Sequence, residues 1–308
     1  MVYIWGTRLP SQINVYSHPT APDEQAPPTA IPQNSASILL QWSPPEAPNG
    51  VILGYNVYRN GSFIANTSIL NYTDTGLTPD STYSYFIEAF NIIGLTTSAT
   101  IFTRTLEGVP SGIPPPTLLA RNSSSVQASW QAPMVTNGII SRYELVMTAI
   151  EDQPTEVIVF TGLGFSSTVT DLMPFTVYAF AVRACTSGGC GSSGDSQVQT
   201  AQAPPTFQPA PNVTTLSPTT VEVSWYPPPE PNGIVDRYEI FQRNASLGEG
   251  FFVDSVPNGT LSLVVGGLRP FTQYEFRVLS YTAGGGTPSE WSQGSTASSG
   301  MISGGNFN

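Results

Sequence analysis

The amino-acid sequence predicts an all-β fold made of three tandem antiparallel β-sandwiches. Three observations support this prediction: one sequence pattern occurs three times, the segments around it alternate apolar and polar residues, and turn residues separate these segments. Glycine and proline are abundant, with 28 and 29 residues in a chain of 308, and no segment shows sustained helical periodicity. Short alternating strands between closely spaced turns are typical of antiparallel sandwiches.

The composition argues against several classes of function. Hydrophobic residues make up 40% of the chain, which is enough to fill packed cores. The formal net charge is −11, lysine is absent, and the 10 basic residues are arginines scattered singly along the chain. Because a phosphate backbone is bound by clustered positive charge, we expect no nucleic-acid partner.

The sequence also offers little for catalysis. His18 is the single histidine and lies in a proline-flanked N-terminal segment, so a Ser/His/Asp triad or a multi-histidine metal site lacks its imidazoles. The glycines at 284–286 lie between two predicted strands and do not open a helix, as a phosphate-binding loop would. We therefore expect no enzyme, no catalytic residue, no metal and no cofactor.

The repeated pattern begins with a tryptophan that follows an alternating segment. An Asn-Gly pair, a strong turn signal, comes within eight residues, and a tyrosine comes 13 residues after each tryptophan. The alternation places these aromatic residues on the inward face of a strand, so we expect them in the cores. The three sets are Trp42, Asn49-Gly50 and Tyr55; Trp130, Asn137-Gly138 and Tyr143; and Trp225, Asn232-Gly233 and Tyr238.

Each repeat also contains Leu-x-Pro-x-Thr-x-Tyr or a close variant. The tyrosine opens an alternating segment, which predicts a strand at residues 83–89, 178–184 and 274–280. The three tyrosines are Tyr83, Tyr178 and Tyr274.

With these two patterns the chain resembles the fibronectin type III family over about residues 27–299. The resemblance implies three sandwiches, with Trp42, Trp130 and Trp225 in their cores. It also implies that Tyr83, Tyr178 and Tyr274 form tyrosine corners, in which the hydroxyl bonds to nearby backbone. The repeats lack the Cys…Trp…Cys core of immunoglobulin domains.

Proline-rich joints divide the chain into modules. We expect residues 1–26 to hold the last strand of a preceding module, and residues 300–308 to be a tail. The three modules are predicted at residues 27–107, 111–201 and 205–299. Because the joints are short and partly polyproline, they should act as semi-rigid spacers and give an elongated, monomeric rod within a longer chain.

Finer features suggest a function. Residues 44–50, 184–190 and 227–233 are similar to modules of very large ectodomains that carry long fibronectin type III arrays. This resemblance implies a structural and adhesive segment of stereocilia links and photoreceptor ciliary membranes, supporting hearing and vision. Its partners would be extracellular or cell-surface proteins. The alternative is an ectodomain segment of a receptor tyrosine phosphatase or another cell-surface receptor.

Two kinds of loop are candidates for contacts with partners. The proline-rich Asn-Gly loops are interpreted mainly as pre-shaped turns, with partner contact as the alternative. The loop at residues 91–95, Asn-Ile-Ile-Gly-Leu, is more apolar than a plain turn. It therefore predicts a contact with a small partner or a neighbouring module.

Seven Asn-x-Ser/Thr motifs favour an extracellular location. The sequence contains no apolar stretch long enough to span a membrane. Asn60-Gly61 is predicted at a hairpin tip, and Asn66 in the connection that follows. We expect the sites near the tip to be glycosylated and that flank to be covered by sugar. The motifs lie at Asn60, Asn66, Asn71, Asn122, Asn212, Asn244 and Asn258.

Cys185 and Cys190 are the two cysteines of the chain. Two thiolates without a nearby histidine cannot complete a structural zinc site, and the spacing is not that of a Cys-x-x-Cys redox pair. The four residues between them form a turn after the sixth strand, which can bring the two Cβ atoms within bridging distance. We therefore predict one disulfide within the second module.

Overall fold

The computed structural model describes residues 18, 20–149, 155–244, 248 and 250–300. Within these residues the chain contains 24 β-strands and no helix, and hence no helix that could span a membrane. The strands form six sheets, two for each repeat. The prediction of three all-β sandwiches is confirmed. The strand expected upstream of residue 18 and the tail at residues 301–308 lie outside the described residues.

The first module consists of a three-stranded sheet, in the order β1-β2-β5, and a five-stranded sheet, in the order β4-β3-β6-β7, with β8 also paired to β6. The strands in both sheets pair antiparallel. Their bounds are β1 (Thr29–Asn34), β2 (Ser37–Gln41), β3 (Gly54–Arg59), β4 (Ser62–Thr67), β5 (Asn71–Thr75), β6 (Thr82–Phe90), β7 (Leu95–Thr97) and β8 (Ile101–Arg104).

The second module has the same topology. Its sheets have the orders β13-β10-β9 and β12-β11-β14-β15, and β16 also pairs with β14. The bounds are β9 (Thr117–Ala120), β10 (Val126–Ser129), β11 (Arg142–Ala149), β12 (Glu156–Gly162), β13 (Ser166–Val169), β14 (Val177–Thr186), β15 (Gly189–Ser192) and β16 (Ser196–Gln199).

The third module repeats this arrangement once more. Its sheets have the orders β17-β18-β21 and β20-β19-β22-β23, and β24 also pairs with β22. The bounds are β17 (Asn212–Thr215), β18 (Val221–Ser224), β19 (Arg237–Asn244), β20 (Phe251–Pro257), β21 (Ser262–Val265), β22 (Gln273–Thr282), β23 (Gly285–Pro288) and β24 (Ser292–Ser295).

Strand alternation produces the cores. Alternate residues of β2, β3 and β6 lie between the two sheets of the first module, as at Ile38, Leu40 and Ile87, which are fully inaccessible to solvent. In the third module, Val223 and Phe276 occupy the same kind of position. Each fully buried aliphatic or aromatic side chain stabilises the fold by about 1.5–3 kcal/mol relative to its exposed state.

The described chain divides into two compact units. One unit contains the first module together with residues 135–141 and 185–190, and the other contains the remainder of the second module and the third module. The two short segments are loops of the second module that hold the end of the first module, as described below.

Candidate functional site

The three repeated tryptophans lie one residue beyond β2, β10 and β18 and are 3–7% exposed. In the first and third modules, the indole contacts the repeated tyrosine of the next strand, with ring centroids 5.6 Å apart in both pairs. These tryptophans therefore help to fill the cores and do not form an exposed aromatic platform. They are Trp42, Trp130 and Trp225.

The three tyrosines of the Leu-x-Pro motif share one hydrogen bond. Each hydroxyl oxygen accepts a bond from the backbone N–H five residues upstream, at 2.9–3.0 Å. This is the geometry of a tyrosine corner. Tyr178 and Tyr274 are buried, whereas Tyr83 is half-buried beneath the guanidinium of Arg59.

The structure joins Cys185 and Cys190 in a disulfide across the loop between β14 and β15. The two Cα atoms are 4.0 Å apart, Cys185 is fully buried, and Cys190 is exposed. The Cys185 carbonyl accepts a hydrogen bond from the backbone N–H of Ser141. The bridge therefore holds the loop at residues 186–189 next to the Asn-Gly loop of the same module.

Glu107, which follows the last strand of the first module, bonds to both of these loops. One carboxylate oxygen accepts from the backbone N–H of Ile139 at 2.9 Å, and the other accepts from the backbone N–H and hydroxyl of Ser187 at 2.8 and 2.6 Å. These bonds, the hydroxyl bond of Ser187 first, hold the pKa of Glu107 below its usual value.

The backbone beyond Glu107 is held in the same way. The Gly108 N–H donates to the Asn137 carbonyl, and the Gly108 carbonyl accepts from the Thr186 hydroxyl. The Asn137 side chain donates to the Val109 carbonyl at 2.7 Å. We call these bonds, with those of Glu107, the first linker site.

A second linker site lies between β16 and β17 and repeats this arrangement with an amide in place of the carboxylate. The side-chain oxygen of Gln202 accepts from the backbone N–H of Ile234 at 2.9 Å and, more weakly, from that of Ala283 at 3.4 Å. The Ala203 carbonyl accepts from the Thr282 hydroxyl at 2.7 Å. Each linker is thus held by two loops of the module that follows it, and these two loops are equivalent in the second and third modules.

Glycine is required where the linkers cross these loops. A Cβ atom at Gly188 would overlap the Glu107 carbonyl, and one at Gly284 would overlap the backbone of Ala203. The asparagines of the Asn-Gly pairs adopt positive φ, with 52° at Asn137. The Asn-Gly loops, expected mainly as turns, therefore also bind the linkers.

The first module holds residues 20 and 21 of its incoming chain through two asparagine side chains. The Asn91 side chain donates to the Thr20 carbonyl at 2.7 Å, and the Asn49 side chain donates to the Ala21 carbonyl at 3.0 Å. At the position of Gly188 and Gly284, this module carries Ile93, which is 55% exposed.

A buried polar cluster distinguishes the core of the first module. The Arg59 guanidinium lies 3.0 Å from the Asp74 carboxylate, and the Tyr85 hydroxyl donates to the same carboxylate at 2.7 Å. Asp74 is 3% exposed and Tyr85 is inaccessible. Burial, together with the bond to Asp74, raises the pKa of Tyr85 far above its usual value. We call these three residues the polar triad; sequence reasoning missed it.

The glycosylation motifs lie mostly at the surface. Asn60 occupies a hairpin tip as predicted, with φ 49°, and its side-chain oxygen accepts from the Ser84 N–H. The prediction that Asn66 lies in a connection was wrong. Asn66 lies within β4, where cross-strand pairing with Asn56 continues the sheet, and its side-chain nitrogen donates to the Asn56 side chain. Asn60, Asn66, Asn71, Asn122, Asn212 and Asn258 are exposed, and Asn244 is half-buried.

The comparisons with known proteins agree with this geometry. The family model of the fibronectin type III domain matches residues 22–104, 114–200 and 203–296, so the chain belongs to that family. The sequence resemblance to fibronectin type III modules is confirmed.

Three relatives illustrate the similarity. The chain is 36% identical to usherin of Homo sapiens over 301 residues, which cover 88% of this chain and 6% of usherin. It is 32% identical to usherin of Rattus norvegicus over 316 residues, which cover 94% of this chain and 6% of that usherin. It is 34% identical to Receptor-type tyrosine-protein phosphatase F of Mus musculus over 273 residues, which cover 83% of this chain and 14% of the phosphatase. The chain therefore spans a small part of the length of these relatives.

Proposed function

We propose that this chain is a non-enzymatic segment of the extracellular part of an usherin-like protein. In this role it sets distance along the protein and presents loops to extracellular or cell-surface partners. The finer setting is that of stereocilia links and the photoreceptor ciliary membrane, in support of hearing and vision. The similarity to usherin over most of the chain supports this proposal.

The linker sites are the observation that carries the spacing role. A chain that only tethered two modules would need no hydrogen bonds between a linker and the following loops. Here a side-chain oxygen, a backbone carbonyl and an Asn-Gly loop recur at both linker sites. These repeated hydrogen bonds hold the linker against the loops and oppose its separation from them.

Two features support an extracellular location. The disulfide between Cys185 and Cys190 is of a kind that persists in oxidising compartments. Asn60 is exposed at a hairpin tip, the kind of surface position at which N-glycans are attached. We expect glycans on the exposed motifs, and first on Asn60, because the side-chain nitrogen of Asn66 already donates to Asn56 within the sheet.

Secretion from a mammalian cell line tests whether the chain is suited to an extracellular location. The chain is fused to a secretory leader, and its intact mass is compared before and after enzymatic removal of N-glycans. We expect a loss of several glycan masses, with the Ser62→Ala variant losing one fewer. A secreted chain without any glycan would contradict the extracellular proposal.

A receptor tyrosine phosphatase ectodomain is the second candidate, favoured by the similarity to Receptor-type tyrosine-protein phosphatase F. Antibodies raised against this chain can separate the two. Labelling of hair bundles and of the photoreceptor ciliary region supports the usherin-like role. Labelling that is absent there and present on other cell surfaces supports the receptor.

A further inference from the structure

The chain contains five Asn-Gly pairs, which fall into two groups. Two pairs, at Asn60 and Asn258, are also Asn-x-Ser/Thr motifs. The other three belong to the Asn-Gly loops, and in each of them the asparagine side chain donates a hydrogen bond to the chain that enters the module. None of these three is a glycosylation motif, so a glycan cannot protect their side chains. They are Asn49, Asn137 and Asn232.

An Asn-Gly pair is prone to deamidation, because glycine has no side chain to shield its backbone nitrogen. This nitrogen attacks the side-chain amide carbon of the asparagine, a carbon–nitrogen bond forms, and the amide nitrogen leaves as ammonia with the proton of the glycine. The resulting succinimide ring is then opened by water at either carbonyl, which gives aspartate or isoaspartate. The reaction needs only water, so the conformation of the pair sets its rate.

Three contacts in the first linker site oppose this ring closure. The Asn137 side-chain nitrogen donates to the Val109 carbonyl at 2.7 Å, which holds the amide against the linker. The Asn137 carbonyl accepts from the Gly108 N–H at 2.8 Å, which fixes the peptide that contains the attacking nitrogen. Glu107 lies against Gly138, where an added Cβ atom would be 2.7 Å from the Glu107 Cγ. The ring can close only when these contacts loosen.

The charge of Glu107 acts in the same direction. The attacking Gly138 nitrogen must lose its proton, and a nearby negative charge disfavours the anionic form of any group. The Glu107 carboxylate accepts from the next N–H along the chain, that of Ile139, at 2.9 Å, so it lies beside this nitrogen. In the second linker site the uncharged Gln202 takes this position. Asn232 is therefore protected by hydrogen bonds alone, and Asn137 by hydrogen bonds and charge.

The pairs at Asn60 and Asn258 lack this protection within the described part of the chain. The Asn60 side-chain oxygen accepts from the Ser84 N–H, but no described residue accepts from its side-chain nitrogen. Asn258 is exposed, and its side chain has no hydrogen-bond partner among the described residues. Asn258 therefore serves as an internal reference for an Asn-Gly pair that no linker holds.

We propose that Asn137 is a modification site controlled by the first linker site. When the linker separates from its loop, Asn137 converts to aspartate or isoaspartate, and the product prevents the linker from binding again. Neither product has an N–H to donate to the Val109 carbonyl, and both add a negative charge beside Glu107. Isoaspartate also lengthens the main chain by one atom, which displaces the Ile139 amide from Glu107. This inference goes beyond the proposed function and does not rest on it.

Peptide mapping of the full chain measures all five conversions in one sample. The chain is exported to a bacterial periplasm, where disulfides form and no N-glycan is added, and is then incubated at mildly alkaline pH. Trypsin cleaves after arginine and places each Asn-Gly pair on a different peptide, whose mass increases when the amide becomes an acid. In the folded parent, Asn258 should convert at least about fivefold faster than Asn137, and in urea the two rates should converge. Equal rates in the folded parent would overturn the proposal.

Two matched variants test whether each linker protects its own asparagine. Glu107→Ala removes the side chain that lies against Gly138 and should accelerate conversion of Asn137 at least about fivefold, with Asn232 unchanged. Gln202→Ala should accelerate Asn232 and leave Asn137 unchanged. Glu107→Gln removes the charge but keeps an acceptor, so its effect should be smaller than that of Glu107→Ala. Acceleration of both asparagines by one variant would overturn the proposal, because the protection would then not come from the adjoining linker.

The Asn137→Asp variant tests the effect of the product on the linker. NMR hydrogen exchange of the Ile139 and Ser187 amides should accelerate at least about fivefold, while the Ile234 amide keeps its protection. Asn232→Asp is the reciprocal control and should accelerate exchange at Ile234 alone. If Asn137→Asp leaves the Ile139 and Ser187 amides as protected as in the parent, conversion does not release the linker and the proposal is wrong.

Discussion

The first and third modules share one topology but fill the same core positions with different chemistry. Asp74 of the first module and Val265 of the third both pair with the first core residue of the preceding inner strand. The equivalent aromatic residues of the next inner strand are Tyr85 in the first module and Phe276 in the third, and both are inaccessible to solvent. The fold thus accepts either apolar contact or a buried carboxylate, provided that the carboxylate is fully bonded.

The third difference between the two cores is Arg59, which occupies the position of Gln242 in the third module. It pairs with Tyr85, as Gln242 of the third module pairs with Phe276, and it supplies the charge that Asp74 needs. A buried ion pair often contributes little more than an apolar replacement of equal volume, but a half-removed pair costs far more. The polar triad should therefore behave as a unit, and the first two of the four predictions below test that behaviour.

The largest effect should come from breaking the polar triad at its centre. Asp74→Val leaves the Arg59 charge and the Tyr85 hydroxyl without their partner and should destabilise the first module by about 3 kcal/mol. Hydrogen exchange measured by mass spectrometry reports the first and third modules separately. Exchange should accelerate in the first module alone, and equal acceleration in the third module would contradict a local effect.

The second prediction restores the apolar chemistry. Arg59→Gln, Tyr85→Phe and Asp74→Val together give the first module the residues of the third. Because the carboxylate, the guanidinium and the tyrosine hydroxyl are then removed together, stability should return to within about 1 kcal/mol of the parent. Hydrogen exchange again provides the measurement. A triple variant as unstable as Asp74→Val alone would show that the polar triad is not the cause.

The third prediction concerns a bond that both modules share. Tyr83→Phe and Tyr274→Phe each remove one hydrogen bond of a tyrosine corner and should each cost about 1 kcal/mol in their own module. Tyr72→Phe is the control, because Tyr72 lies half-buried outside the corner. Losses that differed strongly between the two corners would mean that the polar triad also affects the tyrosine corner.

The smallest effect should appear on acidification. The pKa of Glu107 is lowered in the fold, so its bonds stabilise the first linker site fully above the usual carboxyl pKa of 4.5 and lose this effect as pH falls through the lowered value. Gln202 does not titrate. The Ile139 and Ser187 amides should therefore lose protection in acid, while the Ile234 and Ala283 amides keep theirs.

NMR hydrogen exchange at several pH values measures these amides one by one. In the Glu107→Gln variant, the first linker site should become as insensitive to acid as the second. If the variant keeps the acid response, another group is responsible.

The sequence was sufficient to predict the features that repeat. Trp42 and Tyr83 were placed because each occupies a position that recurs in all three modules, and the Leu-x-Pro-x-Thr-x-Tyr motif carries the tyrosine corner within one short segment. The hairpin at Asn60-Gly61 was predictable for a similar reason, because the turn depends on local chemistry alone.

Features that depend on strand register were not predictable. Asp74 is 15 residues from Arg59 and 11 from Tyr85, and the three meet only after the sheets have paired. Glu107 and Ser187 are 80 residues apart, so no local pattern relates them. Asn66 was misplaced because its polar side chain suggested a connection, whereas pairing with Asn56 keeps it in a strand.

The glycine beneath each linker limits how such an array can evolve. A duplicated copy of the second or third module brings with it Gly188 or Gly284 and could be inserted behind either linker without collision. A copy of the first module would bring Ile93 to the same crossing and would block the path of the linker. Recombination within the gene should therefore multiply the glycine-bearing modules readily, while a module of the isoleucine type would stay single until a second mutation opened its loop.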